Sequence, residues 1–427
     1  MAGEKEPFGD AINPAAQAKS RGSERALDAT AFFLADVADG LGPFLVIDLT
    51  SRRGWSASQA GLAMAMLLVG TVAMQTFTGS WIDRTRHKTM AIAMACCIVA
   101  AATVGLYFST TPSIVYGLQA LTGVMVTVFP PALAAISLGL VGRNRLAARI
   151  GRNEACFHAG NVTAAFLAIA TNYLWGTIGI FCSVAAMAIA SAVSAHFIDN
   201  SQIDHELARG ADDGGGSPSI LPWRSVATDQ RIQWFVLAVV LFHFANAAML
   251  PLVGQKVGHS NQNAAQSMMA ICIIVAQIVM VPIAFLASHF AILGRRKVFL
   301  VGFLILPIRG LLYTLTDSPS CLIAIQVLDG IGAGIFGVVA VLMVADLTRG
   351  TGRFNFAQGL MATAIGLGAA ASQFLAGIVV DRLGFDAGFL FLSGIAVLAV
   401  AVFLFKVPET SPHLRRTASL TDGRLPD

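Results

Sequence analysis

The chain has 427 residues, of which 56% are hydrophobic and only 12% charged, with a formal net charge of +4 and a mean hydropathy of +0.71. So much apolar side chain with so little charge excludes two or three ordinary water-soluble domains and places the chain in a bilayer. The small basic excess calls for no nucleic-acid partner, because loops on the cytoplasmic side of membrane proteins are rich in Lys and Arg anyway.

The first 26 residues are polar and mixed in charge, with no apolar stretch before a small-residue cleavage site, so no signal peptide is expected and the first span should stay in the mature protein. About 20 mostly apolar residues cross the hydrocarbon core as a helix. Twelve such stretches follow, at roughly 29–50, 58–82, 89–108, 113–141, 154–174, 177–198, 231–253, 265–288, 298–316, 320–346, 355–380 and 385–405. The expected fold is therefore an all-α integral membrane protein with 12 transmembrane helices.

The longest connection, 199–230, is polar and contains ADDGGGSPS, the composition of a flexible linker. It divides the spans six and six. The implied organisation is a tail at 1–26, a six-helix bundle at 27–198, a linker at 199–230, a second bundle at 231–408 and a tail at 409–427. With both termini in the cytoplasm, cytoplasmic segments hold 23 of the 28 Lys and Arg. Outer loops hold only Arg52, Arg53, Lys256 and Arg382, and Arg309 falls within a span. A multi-pass protein of the inner membrane follows.

The two halves echo one another. Gln119-Ala-Leu-Thr-Gly123 reappears as Gln326-Val-Leu-Asp-Gly330, 207 positions later, and the same offset sets Asp36 and Asp39 against His243 and Asn246. Gly294-Arg-Arg-Lys297 falls where a second copy of a charged hairpin in the first half would end.

That hairpin, Gly79 to Lys88, joins the second and third spans. A small residue at Gly79 lets a neighbouring backbone approach, Asp83 can accept from backbone or cationic donors, and Arg84, Arg86 and Lys88 hold the turn on the cytoplasmic side. The stretch resembles the loop between spans two and three of major facilitator superfamily transporters. Gly79, Asp83, Arg84 and Lys88 match that pattern, while Arg86 and His87 depart from it. The hairpin, the six-plus-six division, Gly377-x-x-x-Asp381-Arg382-x-Gly384 and Val407-Pro408-Glu409-Thr410 carry the resemblance over about residues 27–410. It implies two pseudo-symmetric six-helix bundles around a cavity lined by spans 1, 4, 7 and 10, exposed to each side in turn.

Ionisable residues inside spans are costly and usually face the bundle interior. Asp36 and Asp39 share one helical face, and repulsion between two poorly hydrated carboxylates would let one carry a proton near neutral pH. His243 and Asn246 have the same spacing, so pseudo-symmetry would turn them toward the aspartates. Asp329, whose repeat partner is Thr122, Gln119 and Gln326 complete the candidate proton- and solute-binding set. Gly79, Asp83, Arg84 and Lys88, with Asp346 and Arg353, form the candidate gate. Glu154 and His158 are expected to join Arg149 and Arg152 in salt bridges at the cytoplasmic mouth. Arg309, in a span the family fold puts at the periphery, is expected to snorkel or pair locally. The six cysteines, without metal-type spacing, read as small hydrophobes.

The function these features imply is secondary active transport of a small solute, coupled to protons, with efflux favoured over uptake, by a monomer that needs no cofactor. Two alternatives stay open: a divalent-metal exporter using the two Asp, the His and the Asn, and a membrane sensor that binds without transporting. No nucleophile elbow, HExxH or phosphate-cradling loop points to an enzyme.

Overall fold

The computed structural model describes residues 14–39, 41–211, 220–258 and 262–411. The first half comprises α1 (Pro14–Asp39), α2 (Gly42–Ile47), α3 (Ala57–Arg84), α4 (Lys88–Phe108), α5 (Pro112–Val126), α6 (Phe129–Trp175) and α7 (Thr177–His196). Two short helices follow, α8 (His205–Ala208) and α9 (Trp223–Ala227). The second half comprises α10 (Gln230–Asn246), α11 (Met249–Gly258), α12 (Gln262–Phe290), α13 (Arg295–Thr314), α14 (Pro319–Leu347), α15 (Phe354–Leu383) and α16 (Phe385–Lys406).

Among the described residues, ten helical stretches are long and apolar enough to cross a membrane. One of them, Pro112–Trp175, runs for 64 residues, about three times the length a span requires. It turns back at Gly142, whose φ of 71° breaks the helix where glycine alone carries no steric cost. The amino-terminal helix α1 is not among the ten. Its first turns are polar, and the apolar stretch that begins in it resumes in α2, which starts at Gly42 after Leu41.

An interruption at Ala247–Ala248 likewise separates α10 from α11. The first residues of α2 and α11, Gly42 and Met249, lie 207 positions apart, the offset at which the two halves echo one another in sequence. Within the first half α1 packs on α6 and α7, α3 on α5, and α4 on α7; within the second, α10 packs on α15 and α16, α13 on α14 and α16, and α12 on α14. The halves meet through α3 against α15 and α6 against α12. Each pairing joins the second span of one half to the fifth of the other, which is what a two-fold relation between six-helix units requires.

Large apolar side chains cover the outer surface. Trp81, Phe197, Leu293 and Phe405 are exposed near one level, and Phe108, Tyr173, Trp175, Leu315 and Leu383 near the other. In water such a surface would drive aggregation; at the two edges of a bilayer it is satisfied, aromatic rings included. All six cysteines are free, and Cys97, Cys182 and Cys321 lie exposed on helix surfaces, where a small apolar side chain meets lipid without penalty.

The linker is more built than its composition suggests. Asp204 caps α8 through Glu206 N and Leu207 N, and its own backbone N–H donates to Gly139 O at 3.0 Å. Phe354 N donates to Arg209 O at 3.1 Å and Gly350 N to Gly210 O at 2.8 Å, so residues 204–211 bridge the two halves. Most of ADDGGGSPS, residues 212–219, lies outside the described residues.

Candidate functional site

The hairpin between α3 and α4 marks one end of the bundle, called here the hairpin end. Asp83 is buried there, and its carboxylate accepts from Asn355 N, Asn355 Nδ2 and Phe356 N, each at 2.9 Å. These donors sit at the first turn of α15, where backbone N–H groups lack helical partners and the helix dipole favours an anion. One carboxylate thus ties the first half to the second. Gly79 makes the approach possible, because a Cβ there would overlap Asn355 O. Lys88 is buried and donates to Thr85 O at 2.6 Å, closing the hairpin, while Arg84 is exposed. Arg353 donates to Leu221 O at 2.6 Å and to Ser80 Oγ at 3.3 Å.

Further bonds join the halves at the same end. Thr76 and Thr363 hydroxyls lie 3.1 Å apart, and Arg143 donates to Ala345 O at 3.2 Å and to the linker carbonyls of Gly210 and Ala211. A Cβ on Gly151 would overlap Ser288, and one on Gly359 would overlap Gln75 O, so small residues seal the seam where side chains would wedge it open.

Asp346 makes no hydrogen bond to Asp83, although Arg143, bonded to the adjacent Ala345 O, is close enough to act on its charge. It accepts from Arg295 Nε at 3.1 Å and from Thr410 Oγ1 at 3.2 Å, within the second half, while Glu409 accepts from Arg295 N and Arg296 N at the start of α13. Expected to gate beside Asp83, Asp346 instead fastens α14 to α13 and the segment after α16. The neighbouring arginine in sequence, Arg353, is turned toward the linker and α3.

Beyond the seam lies a partly open cavity of about 180 Å³. Asp36 from α1, Asn161 from α6 and Gln277 from α12 supply its polar wall, and Phe44, Ile180, Ile273 and several alanines and valines the apolar remainder. Both halves contribute to it, but through spans 1, 5, 6 and 8 and not through the expected set of 1, 4, 7 and 10, because α12 packs along α6 where the halves meet. Asp36 lines this cavity; the side chain of Asp39 lies outside the described residues.

His243 does not face Asp36 across this cavity. Its ring packs edge-on against Phe336 at 4.6 Å and beside Phe242. Asn246 and Asp329 do come together, through a residue expected at the periphery: Arg309 is buried, ion-paired to Asp329, and donates from Nη2 to Asn246 Oδ1 at 2.6 Å. The turn of α13 that carries Arg309 packs inward between α10 and α14, so the guanidinium neither snorkels nor reaches lipid. Gln326 donates to Tyr313 Oη at 2.7 Å, and Gln119 Nε2 lies 3.8 Å from Met64 Sδ. These two glutamines serve helix packing in this conformation, away from the cavity.

Arg149 and Arg152 both pair with Asp28 of α1, leaving Glu154 and His158 to each other one turn further in. At the opposite end of the bundle, Asp48 is buried and accepts from Arg52 and Arg53. Arg53 also reaches Leu106 O at 2.8 Å and Tyr107 O at 3.3 Å, satisfying carbonyls at the end of α4. Among the described residues no group of three or more His, Cys, Asp and Glu is arranged to hold a metal ion.

A helical bundle of this design, with two related halves and a largely apolar cavity lined from both, defines a multi-pass membrane transport protein. The sequence matches the Major Facilitator Superfamily over residues 28–293 and 290–426, and the chain belongs to that family. It is 44% identical over 389 residues to an uncharacterized MFS-type transporter found in two strains of Mycobacterium tuberculosis, covering 90% of this chain and 93% of the relative. It is also similar to the inner membrane transport protein YajR of Escherichia coli, at 24% identity over 200 residues, 46% of this chain and 43% of that one. Among solved structures, a bacterial homologue of the iron transporter ferroportin in its outward-facing state superimposes with a TM-score of 0.68, at 17% identity over 90% of this chain and 98% of that one, which speaks to the fold alone.

Proposed function

We propose that the chain is a twelve-span secondary transporter that moves a small solute by alternating access, with its hairpin end in the cytoplasm. The bundles are residues 27–198 and 231–408, the linker 199–230, and the tails 1–26 and 409–427. In this conformation the cytoplasmic end is shut and the cavity belongs to the outer half of the molecule. The observation that carries the reading is the asymmetry of the contacts between halves: Asp83, Thr76, Arg143 and Gly151 hold them together at the hairpin end, while above it a cavity lined by Asp36, Asn161 and Gln277 opens between α1 and α6 of one half and α12 of the other.

One carboxylate and two amides among aliphatic side chains suit a small, partly apolar solute that is neutral or cationic and able to donate hydrogen bonds. Asp36 is its preferred anchor, and proton coupling with export is the favoured direction. Gly79, Asp83, Lys88 and Arg353 set the balance between conformations. Asn246, Asp329 and Arg309 give the second bundle a fixed polar core. That pairing weighs against a divalent-metal site built from His243 and Asn246, because the Arg309 guanidinium occupies the place a cation would need.

The test is a ligand-stabilisation screen on purified protein, followed by counterflow of each hit in proteoliposomes. Transport predicts a hit that raises the melting temperature of wild type but not of Asp36→Asn, and that exchanges labelled for unlabelled solute across the bilayer. A hit that binds but never exchanges would make the protein a sensor and end the transport reading.

A further inference from the structure

Resting on the transport reading, we infer that the coupling proton is held by Glu154 and His158 on α6, at the seam between the halves, and not by the aspartates of α1. The two residues are one helical turn apart, with Glu154 Oε2 3.8 Å from His158 Nε2. On its other side, His158 Nδ1 lies 2.7 Å from Gln277 Oε1. An amide oxygen only accepts, so Nδ1 carries the hydrogen. In a neutral ring that leaves Nε2 as a bare acceptor, and Nε2 is buried with no hydrogen-bond partner. The group facing it is a carboxylate, also an acceptor. These two facing acceptors, the ring nitrogen buried and the carboxylate partly exposed, lack one proton between them, and a single proton on either lets them close to a hydrogen bond.

The surroundings leave this demand to the pair alone. Asp28 of α1 already neutralises Arg149 and Arg152 one turn toward the hairpin end, and Asp36 of α1 faces the cavity. Cys156, also on α6, is the remaining titratable neighbour on that helix. From the second half, α12 presents Gln277 and Ser288 and α14 presents Gly337, none of which titrates. Among the described residues His158 is the only ion-pair partner of Glu154.

Position supplies the coupling. Both titratable groups ride on the first half, but their contacts cross the seam: Gln277 is on α12, and Glu154 fills the space beside Gly337 of α14, where a Cβ would overlap its carboxylate. Gln277 also lines the solute cavity, so it touches the proton site and the solute site at once. A proton from bulk water enters through the cavity and binds Nε2 or the carboxylate. Loading satisfies the two facing atoms within α6 while Nδ1–H still donates to Gln277 Oε1, so the charge on the pair changes the strength of its tie to α12 across the seam. When the cytoplasmic end opens, the proton returns to water on that side, and no bond other than N–H or O–H forms or breaks.

The experiment needs no solute. Spin labels at His87→Cys and Lys297→Cys, in a background with the native cysteines replaced, report the separation of the hairpin ends by double electron–electron resonance in the reconstituted protein across pH 5 to 8. The inference predicts a pH-dependent shift between closed and open populations that titrates as one proton, survives Asp381→Asn at an exposed carboxylate, and is lost in both Glu154→Gln and His158→Gln. Gln277→Leu, which leaves the pair intact but removes its partner across the seam, should shift the midpoint. Melting temperature and monodispersity establish that each variant is folded. A shift that persists in Glu154→Gln and His158→Gln but disappears in Asp36→Asn would overturn the assignment while leaving proton coupling in place. A wild type with no pH response would overturn both.

Discussion

Asp83→Ala separates the gate from the rest of the molecule. The carboxylate accepts three hydrogen bonds at 2.9 Å, two of them from backbone N–H groups at the start of α15. A hydrogen bond to a charged group contributes about 1.5–3 kcal/mol net, and the end of a helix adds about 0.3–1 kcal/mol for an anion. Water entering after truncation recovers part of this, so about 3 kcal/mol is lost. The loss falls on the closed conformation alone, because once the halves part the same N–H groups are hydrated. At about 1.4 kcal/mol per tenfold change in an equilibrium constant, the ratio of closed to open should fall by about a hundredfold. Asp83→Asn, which keeps an acceptor oxygen, should show a smaller shift in the same direction. Labels at His87→Cys and Lys297→Cys read the populations directly, and a thermal melt checks that the variant is still folded. An unchanged distance distribution in Asp83→Ala would refute the reasoning and remove the hairpin from the mechanism.

Gly79→Val should act in the same direction by a steric route, since its side chain would collide with Asn355 O; chemical cross-linking of the hairpin ends should slow markedly, and unchanged cross-linking would show that the seam has slack. Arg309→Met should destabilise the fold by about 3–5 kcal/mol, because it strands Asp329 in a buried site. The double variant Arg309→Met with Asp329→Leu should recover much of that loss in a thermal melt, and strictly additive losses would contradict a coupled pair. Burial, and then the positive charges of Lys88 and Arg86, hold the pKa of His205 below its ordinary value. A depressed histidine favours folded packing while neutral; that contribution is present above its unfolded pKa of about 6.5 and is lost as pH falls from there through the lower folded value. Hydrogen exchange of residues 203–211, corrected for intrinsic rates, should therefore rise between pH 7.5 and 5.5 in wild type and rise less in His205→Gln.

Some of this architecture is legible in the residues. Span-length apolar runs and the bias of Lys and Arg give the helices and a sidedness, and the spacing from Gly79 to Asp83 puts a close approach and an acceptor on one turn. The 207-residue offset finds a physical counterpart in the matched interruptions before Gly42 and Met249. What an offset cannot give is helix rotation. It equates the helix of Asp36 with that of His243, yet Asp36 reaches the cavity while His243 turns into Phe242 and Phe336. Charge proximity in sequence misleads in the same way. Arg149 and Arg152 lie beside Glu154, but Asp28, 121 residues earlier than Arg149, captures them because α1 packs along α6. Asp346 likewise has Arg349 and Arg353 close in sequence and bonds Arg295. The composition of 199–230 reads as a tether, and only the carbonyls of Arg209 and Gly210, taken up by Phe354 and Gly350, show that its first part is structural.

The central claim is that the cavity communicates with one side of the membrane at a time, and a cross-link tests it most directly. Thr76→Cys with Thr363→Cys, replacing hydroxyls 3.1 Å apart across the seam, would lock the hairpin end shut by a disulfide. With Val162→Cys as a reporter in the cavity wall, a membrane-impermeant maleimide should label the locked protein from outside and fail to label it in inside-out vesicles, with reduction restoring access from within. Labelling of the locked protein from the cytoplasmic side, or protection of the reporter from the outside, would contradict the account.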